Sequence, residues 1–178
     1  MSVRHAVALA ACALLAPAGV PAAPPAAPAA AAGIQWTVPP RWTPGAGSSM
    51  RVATYAVPAA DGAEKGECAV FFFGTGQGGG VDDNVARWAK QFEGAPAPKK
   101  TTATVAGMRV TRAEVAGTYL APGGPAMQST GKRPGYRLLG AIVEAPEGNV
   151  FFKLTGPAST IAAAQAEFDA LVASFRKK

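Results

Sequence analysis

Residues 68–92 read C-A-V-F-F-F-G-T-G-Q-G-G-G-V-D-D-N-V-A-R-W-A-K-Q-F, and three regimes follow one another within them. Cys68 to Phe73 is apolar at every position, the pattern of a strand covered on both faces. Gly74 to Gly80 is G-T-G-Q-G-G-G, a turn rich in the residue that tolerates left-handed backbone. Asp82-Asp83-Asn84 then supplies helix-capping residues and first-turn acids. Val85, Trp88 and Phe92, spaced three and four apart, give the following helix one apolar face up to about Phe92. Gly94 and Pro96 end it. A central strand, a tight glycine turn and a helix folding back over the strand are therefore expected.

Upstream, Met50–Val57 alternates as a strand does, with Met50, Val52, Thr54 and Ala56 opposite Arg51, Ala53, Tyr55 and Val57. Trp36, Val38 and Trp42 surround Pro39-Pro40, which holds that segment extended or turned. Downstream, a basic, Pro-containing linker spans Ala95–Lys100. Two β-rich runs then flank Gly107 within Thr101–Tyr119. Residues 121–135 hold four glycines and three prolines and read as an open loop. Tyr136–Glu144 and Val150–Leu154 form a hairpin around Pro146-Glu147-Gly148-Asn149. Gly156-Pro157 starts a last helix. Its core stripe is Ile161, Ala164, Phe168, Leu171, Val172 and Phe175, and Arg176-Lys177-Lys178 complement the dipole at its end. Strands, helix, antiparallel strands, helix is the order of an α+β protein, one antiparallel sheet covered by helices.

The first 33 residues have a different composition. Arg4 and His5 precede an uncharged run, Ala6–Ala16, of signal-peptide length, followed by small-residue cleavage sites at Ala16-Pro17-Ala18 and Val20-Pro21-Ala22. Pro17 and Pro21 break the run short of a transmembrane helix, which needs about 20 residues. Residues 1–22 are read as an export signal, 23–33 as an Ala/Pro-rich linker, and 34–178 as one domain. Leu9-Ala10-Ala11-Cys12 resembles a bacterial lipobox, so lipidation at Cys12 is the alternative. The apolar stretch before it, about six residues, is shorter than the roughly 7–15 of a signal core. The expected location is periplasmic or secreted, or lipid-anchored in the envelope if Cys12 is modified.

Composition excludes several chemistries. The chain carries +6, with 17 Lys+Arg against 11 Asp+Glu, and a single histidine, His5, inside the signal. No Ser-His-Asp triad, Cys-His pair or histidine metal site fits the folded part. Without residues 1–22 the charge is +5 and Cys68 is the one cysteine, so an internal disulfide is excluded. Cys68 opens an apolar strand with no base to form its thiolate, and reads as core. Asp82-Asp83 reads as helix capping. Glu144 and Glu147 sit at a hairpin mouth, with no sign of the cleft a glycosidase pair needs. No catalytic residue, metal or cofactor is assigned, and the expectation is a protein that is not an enzyme.

The order of elements resembles the PsbP-like fold, shared by the extrinsic PsbP subunit of photosystem II and a Ran-GTPase-binding import factor. The residues that carry it are Trp36-Thr37-Val38-Pro39-Pro40-Arg41-Trp42, and Phe151-Phe152-Lys153-Leu154-Thr155-Gly156 running into a helix that finishes Leu171-Val172-Ala173-Ser174-Phe175. The chain is also similar to exported bacterial proteins with F-F-x-G-x-G-x-G-G followed by N-x-x-R-W-x-x-Q-F, here Phe72–Gly80 and then Asn84, Arg87, Trp88, Gln91 and Phe92. The resemblance implies a PsbP-like α/β/α sandwich acting as a binding and assembly module, with no common set of catalytic residues.

Two binding surfaces are then expected. Arg109, Arg112, Arg133 and Arg137, with Lys99-Lys100 and Lys132, give one side of the sheet a positive face if their strands are neighbours. Such a face suits an envelope protein or an anionic envelope component. Nucleic acid is not expected, since no aromatic–basic recognition motif occurs. The alternative is a small-ligand or anion site at Gly76, Gly78, Gly79 and Arg87, where a glycine turn meets a helix N-terminus. Asp82 and Asp83 would repel a phosphate there, and the loop lacks the lysine and hydroxyl of a P-loop. Trp36 and Trp42 are candidates for lining a groove or for core positions. The sequence sets no oligomeric state.

Overall fold

Period-two alternation in the C-terminal hairpin lays down the two faces of the molecule. A computed structural model describes residues 29–47, 49–123 and 128–178. The elements are β1 (Ala29–Ala31), β2 (Ile34–Trp36), β3 (Thr43–Pro44), β4 (Ala53–Val57), β5 (Gly66–Phe71), α1 (Val81–Ala89), β6 (Lys99–Val105), β7 (Met108–Gly123), β8 (Gln128–Ala145), β9 (Gly148–Pro157), α2 (Ala158–Ala173) and β10 (Arg176–Lys177). Seven strands form one antiparallel sheet in the order β3-β4-β5-β9-β8-β7-β6, and β1-β2-β10 form a small second sheet. In the β8–β9 register, Leu139, Ala141 and Val143 stand opposite Leu154, Phe152 and Val150, while Ile142 stands opposite Phe151. The first set packs with Ile161, Phe168 and Leu171 of α2, and the second with Val85 and Trp88 of α1. The helices therefore cover opposite faces, an α/β/α arrangement.

The α2 stripe is as expected: Ile161, Ala164, Phe168, Leu171, Val172 and Phe175 are all buried. Arg176 donates to the carbonyls of Ala173 and Phe175 at the helix end. Trp36 and Trp42 are buried in the same core. The indole of Trp36 donates to Tyr55 Oη at 3.2 Å, and that of Trp42 to Glu167 at 3.0 Å. Their place is inside the core and not along a groove.

Three expectations are corrected. The fold begins before Ile34: Ala29–Ala31 pairs with β2 through a turn at Ala32 (φ 52°) and Gly33 (φ 75°). Ala32 is buried and Gly33 accepts from the Lys178 amide, so the end of the expected linker is structured. The expected loop at 121–135 is largely strand, because β7 runs to Gly123 and β8 starts at Gln128. Register shifts between Gly117 and Tyr119 and between Ala121 and Pro122 interrupt the pairing, and residues 124–127 of the expected loop lie outside the described residues. Helix α1 ends at Ala89 and is preceded by Gly80 at its N-cap, with no side-chain cap. Asp82 and Asp83 lie in its first turn, so their contribution is to the dipole and not to capping.

Helix length decides how much of each face is closed. Sixteen residues make α2 about 24 Å long, and nine make α1 about 13 Å. Strand β9, with ten residues, extends roughly 34 Å. On its own face α1 leaves a large part of β5 and β9 uncovered.

Candidate functional site

The uncovered part of the α1 face is a groove. Its apolar lobe, about 640 Å³, is walled by Met50, Phe71, Phe73, Trp88, Leu120 and Phe151. Each side chain has a local reason to be there. Phe71 and Phe151 are paired across β5 and β9 and share a face. Phe73 lies just beyond β5, stacks on Phe71 at 5.9 Å and tilts against Phe151 at 5.8 Å. The Trp88 indole packs against Gly140, where a Cβ would stand 2.1 Å from the ring, so the seat of α1 requires a residue without a side chain. Phe73 remains 41% exposed and Met50 63% exposed, which leaves the apolar wall open to solvent.

The glycine loop forms one rim. Gly78 has φ +88°, and a Cβ on it would come within 2.9 Å of both Phe73 and Phe151. The Asn84 amide donates to the carbonyls of Gly78 and Gly80, both at 2.8 Å, and closes the loop onto the helix. Gly79 lies beside the Arg87 guanidinium, whereas Gly76 faces open space. Of the expected ligand residues, Gly78, Gly79 and Arg87 therefore meet at the groove and Gly76 stands apart. The loop shapes an apolar wall in place of the phosphate cradle its sequence evokes. Asp82, in front of it, is paired with Lys100 at 2.7 Å, and that pairing holds its carboxyl below the usual range.

A second, polar lobe of about 430 Å³ continues the groove and shares Arg51, Phe71 and Lys153 with the first. Lys153 faces it from the middle of β9. Its ammonium donates to Tyr119 Oη at 3.1 Å, and burial lowers it to about 8, with nearby Glu67 working against the shift and Arg51 with it. Burial also raises Tyr119 to about 12. Tyr119 stacks on Tyr136 at 5.8 Å, and the Tyr136 hydroxyl donates to Glu64 at 2.7 Å. Arg51 pairs with Glu67 at 2.9 Å and lies over the Phe71 ring. Arg87 and Lys90, on the helix side, have no acidic partner among the described residues.

The four arginines expected to share a positive face are divided between the two faces. Arg112 and Arg137 stand on the α2 side. There Arg112 pairs with Asp169, and Arg137 with Glu114 at 3.0 Å and Gln165 at 2.8 Å. Arg109 and Arg133 stand on the α1 side, far apart along the sheet. Arg109 pairs with Glu144 at 3.5 Å and Arg133 with Glu64 at 2.8 Å. The neighbouring-strand condition holds for β7 and β8, but alternation sends Arg109 and Arg112, three residues apart, to opposite faces. Cys68 is fully buried, and burial pushes its thiol far above the ordinary range, as a core position requires.

Two solved structures are similar to this chain. Cyanobacterial PsbP (CyanoP) from Synechocystis sp. PCC 6803 matches at 12% identity over 82% of this chain and 87% of its own, with a TM-score of 0.48. A protein of unknown function from Pseudomonas aeruginosa, PA94, matches at 14% identity over 68% of this chain and 78% of its own, with a TM-score of 0.45. The likeness is distant. No protein-family profile matches the chain, and no curated protein sequence does. The α+β class rests on the sheet and the two helices themselves.

Among the described residues, no group of three or more His, Cys, Asp or Glu is placed to hold a metal. No helix among them is long and apolar enough to cross a membrane. Sequence reasoning missed Phe73, Lys153 and Gly140. The signal for Lys153 was present: within V-F-F-K-L-T it is the charged residue on the face that holds Phe151, which marks where cover on that face ends.

Proposed function

We propose that this protein is an exported, non-enzymatic binding module of the cell envelope, and that it binds through the groove between α1 and the uncovered part of β5 and β9. The observation that carries the reading is the apolar wall in which Phe71 and the solvent-exposed Phe73 lie over the buried Phe151, faced by Arg87 and Lys90, which have no acidic partners among the described residues. A folded protein gains nothing in stability from leaving such a wall wet, so a patch of this kind marks a binding surface. Export is inferred from the signal-like residues 1–22, which lie outside the described residues, as does the lipidation alternative at Cys12.

The glycine-loop alternative joins this reading, because Gly78 and Arg87 border the same groove. An anion site made by the loop alone is not favoured, since Asn84 holds the loop carbonyls and Asp82 stands in front. The test is affinity capture from envelope extract with the full chain and its Phe73→Ser variant, at low and high salt. A stoichiometric component retained by the wild type, weakened by salt and lost by Phe73→Ser, is the expected result. Equal capture by both proteins would remove the groove from the proposal.

A further inference from the structure

We infer that the occupant of the groove is a single-chain amphiphile with an anionic head, its chain along Phe71, Phe73 and Phe151 and its head at Lys153 and Thr155. The inference rests on the binding reading above and names the ligand class for the same site. Its first support is the division of the groove into an apolar and a polar lobe that meet at Lys153. A ligand filling both must itself change from apolar to polar along its length.

Charge sets the sign of the head. Arg51, Arg87, Lys90 and Lys153 line the apolar lobe, and no carboxylate does. Glu64 and Glu67 border the polar lobe, yet Lys65, Arg51, Arg133 and Lys153 border it too. The Lys153 ammonium is desolvated, and its hydrogen bond goes to the neutral hydroxyl of Tyr119. A buried ammonium is stabilised most by an anion at hydrogen-bond distance, which replaces the hydration it has lost.

Unsatisfied polar atoms give an independent indication. Among the described residues, the buried side-chain polar atoms without a hydrogen-bond partner are Gln91 Oε1 and Thr155 Oγ1. Gln91 borders the apolar lobe and Thr155 the polar one. Such atoms are rare in folded proteins, and the Thr155 hydroxyl, beside Lys153, is one that an anionic head would satisfy. Thr155 follows Lys153 by two residues on β9, so both project from the same face, about 7 Å apart along the strand. Its hydroxyl is a donor for an anionic oxygen. A volume of 640 Å³ is within the range of small-molecule sites. A protein surface laid over the rim would leave the Thr155 hydroxyl below it without a partner and Lys153 without a counter-charge.

A carboxylate and a phosphate monoester both fit this head chemistry, and the assay separates them. Octanoate, decanoate and dodecanoate, the alkyl phosphates of equal length and the neutral alcohols are titrated calorimetrically into the full chain below their micelle concentrations. Affinity should rise with length, by at most about fourfold per added methylene. Each anion should bind about tenfold more tightly than its alcohol, and the preferred head identifies the source. Lys153→Met should erase the difference between anion and alcohol, Thr155→Val should weaken the anion about fivefold, and Phe73→Ser should weaken anion and alcohol alike.

Anion and alcohol binding equally in the wild type, or discrimination surviving in both Lys153→Met and Thr155→Val, would overturn the inference. No amphiphile binding at all would overturn it as well. In that case, Phe73-dependent capture from envelope extract would leave the binding module standing with a different partner. Loss of that dependence too would bring down both.

Discussion

The two faces of the central sheet are built from the same strands and end in opposite states. On one side α2, the small sheet and the Trp36–Trp42 segment seal the surface, so that Phe152, Phe168 and Phe175 are completely buried. On the other, α1 covers Ile142, Leu138 and Phe151 and stops, leaving Phe73 and Met50 wet and Lys153 beside them in the groove. The difference comes from what lies over the strands: a helix seven residues longer, joined on the closed face by the small sheet and the Trp36–Trp42 segment. The closed face supplies stability, and the open face, which contributes less, is where a ligand can be accommodated.

The sharpest test of this division is a pair of aromatic truncations followed by urea denaturation. Phe168→Ala, in the sealed core, should cost about 3–5 kcal/mol. Phe73→Ser, on the open face, should stay within about 0.5 kcal/mol. Equal losses would mean that the groove wall is ordinary core. Gly140→Ala comes next, because the new methyl group overlaps the Trp88 ring. A loss of about 1–3 kcal/mol is expected, with a changed Trp fluorescence as α1 lifts. An unaltered spectrum and stability would show that α1 is not seated there.

An effect of opposite sign is expected at Lys153. Its ammonium is held at about 8, below the ordinary value of 10.5, so between those values the unfolded chain holds the extra proton. The Lys153 contribution to stability should therefore rise with pH from about 8, while Cys68, whose buried thiol keeps its proton in the fold, works against it once the pH passes its ordinary value near 9 and cancels in the comparison with Lys153→Met. Lys153→Met has no such proton. At pH 7 it should be more stable than the wild type, by on the order of 2 kcal/mol, and the gap should narrow as the pH rises. A flat difference across that range would mean that the Lys153 amine is well solvated. A variant that gains stability while losing anion discrimination would show a cost accepted for binding.

What the sequence reveals differs between the same two faces. The closed face was legible because Ile161, Ala164, Phe168, Leu171 and Val172 repeat at helical spacing and alternation in β8 and β9 marks their partners. The α+β class and the hairpin at 145–148 followed from the same periodicities. The open face was not legible, since nothing in Phe71-Phe72-Phe73 tells a covered ring from an exposed one. That depends on where α1 stops, and its end was placed three residues too late because Phe92 keeps the helical spacing after the helix is over. The long β7–β8 hairpin was missed for another reason. Pro134 and Gly135 lie at the register shift opposite Gly117–Tyr119, and Pro122 follows the one at Ala121, so breakers that read as a loop sit at irregularities within paired strands. The arginines are divided by parity at residues 109 and 112, which differ by an odd number, and by the register shift opposite Gly117–Tyr119 at residues 133 and 137, which differ by an even one.

The large sheet leaves two margins free, and they are protected differently. At one margin β3 is two residues long and contains Pro44, which has no amide to offer. At the other β6, K-K-T-T-A-T-V, is exposed over its first six residues and opens with Lys99 and Lys100. An unpaired strand edge is a template for another chain, and prolines and lysines are what deter that templating. The apolar wall of one face is thus left uncovered while both backbone margins carry the residues that deter strand addition.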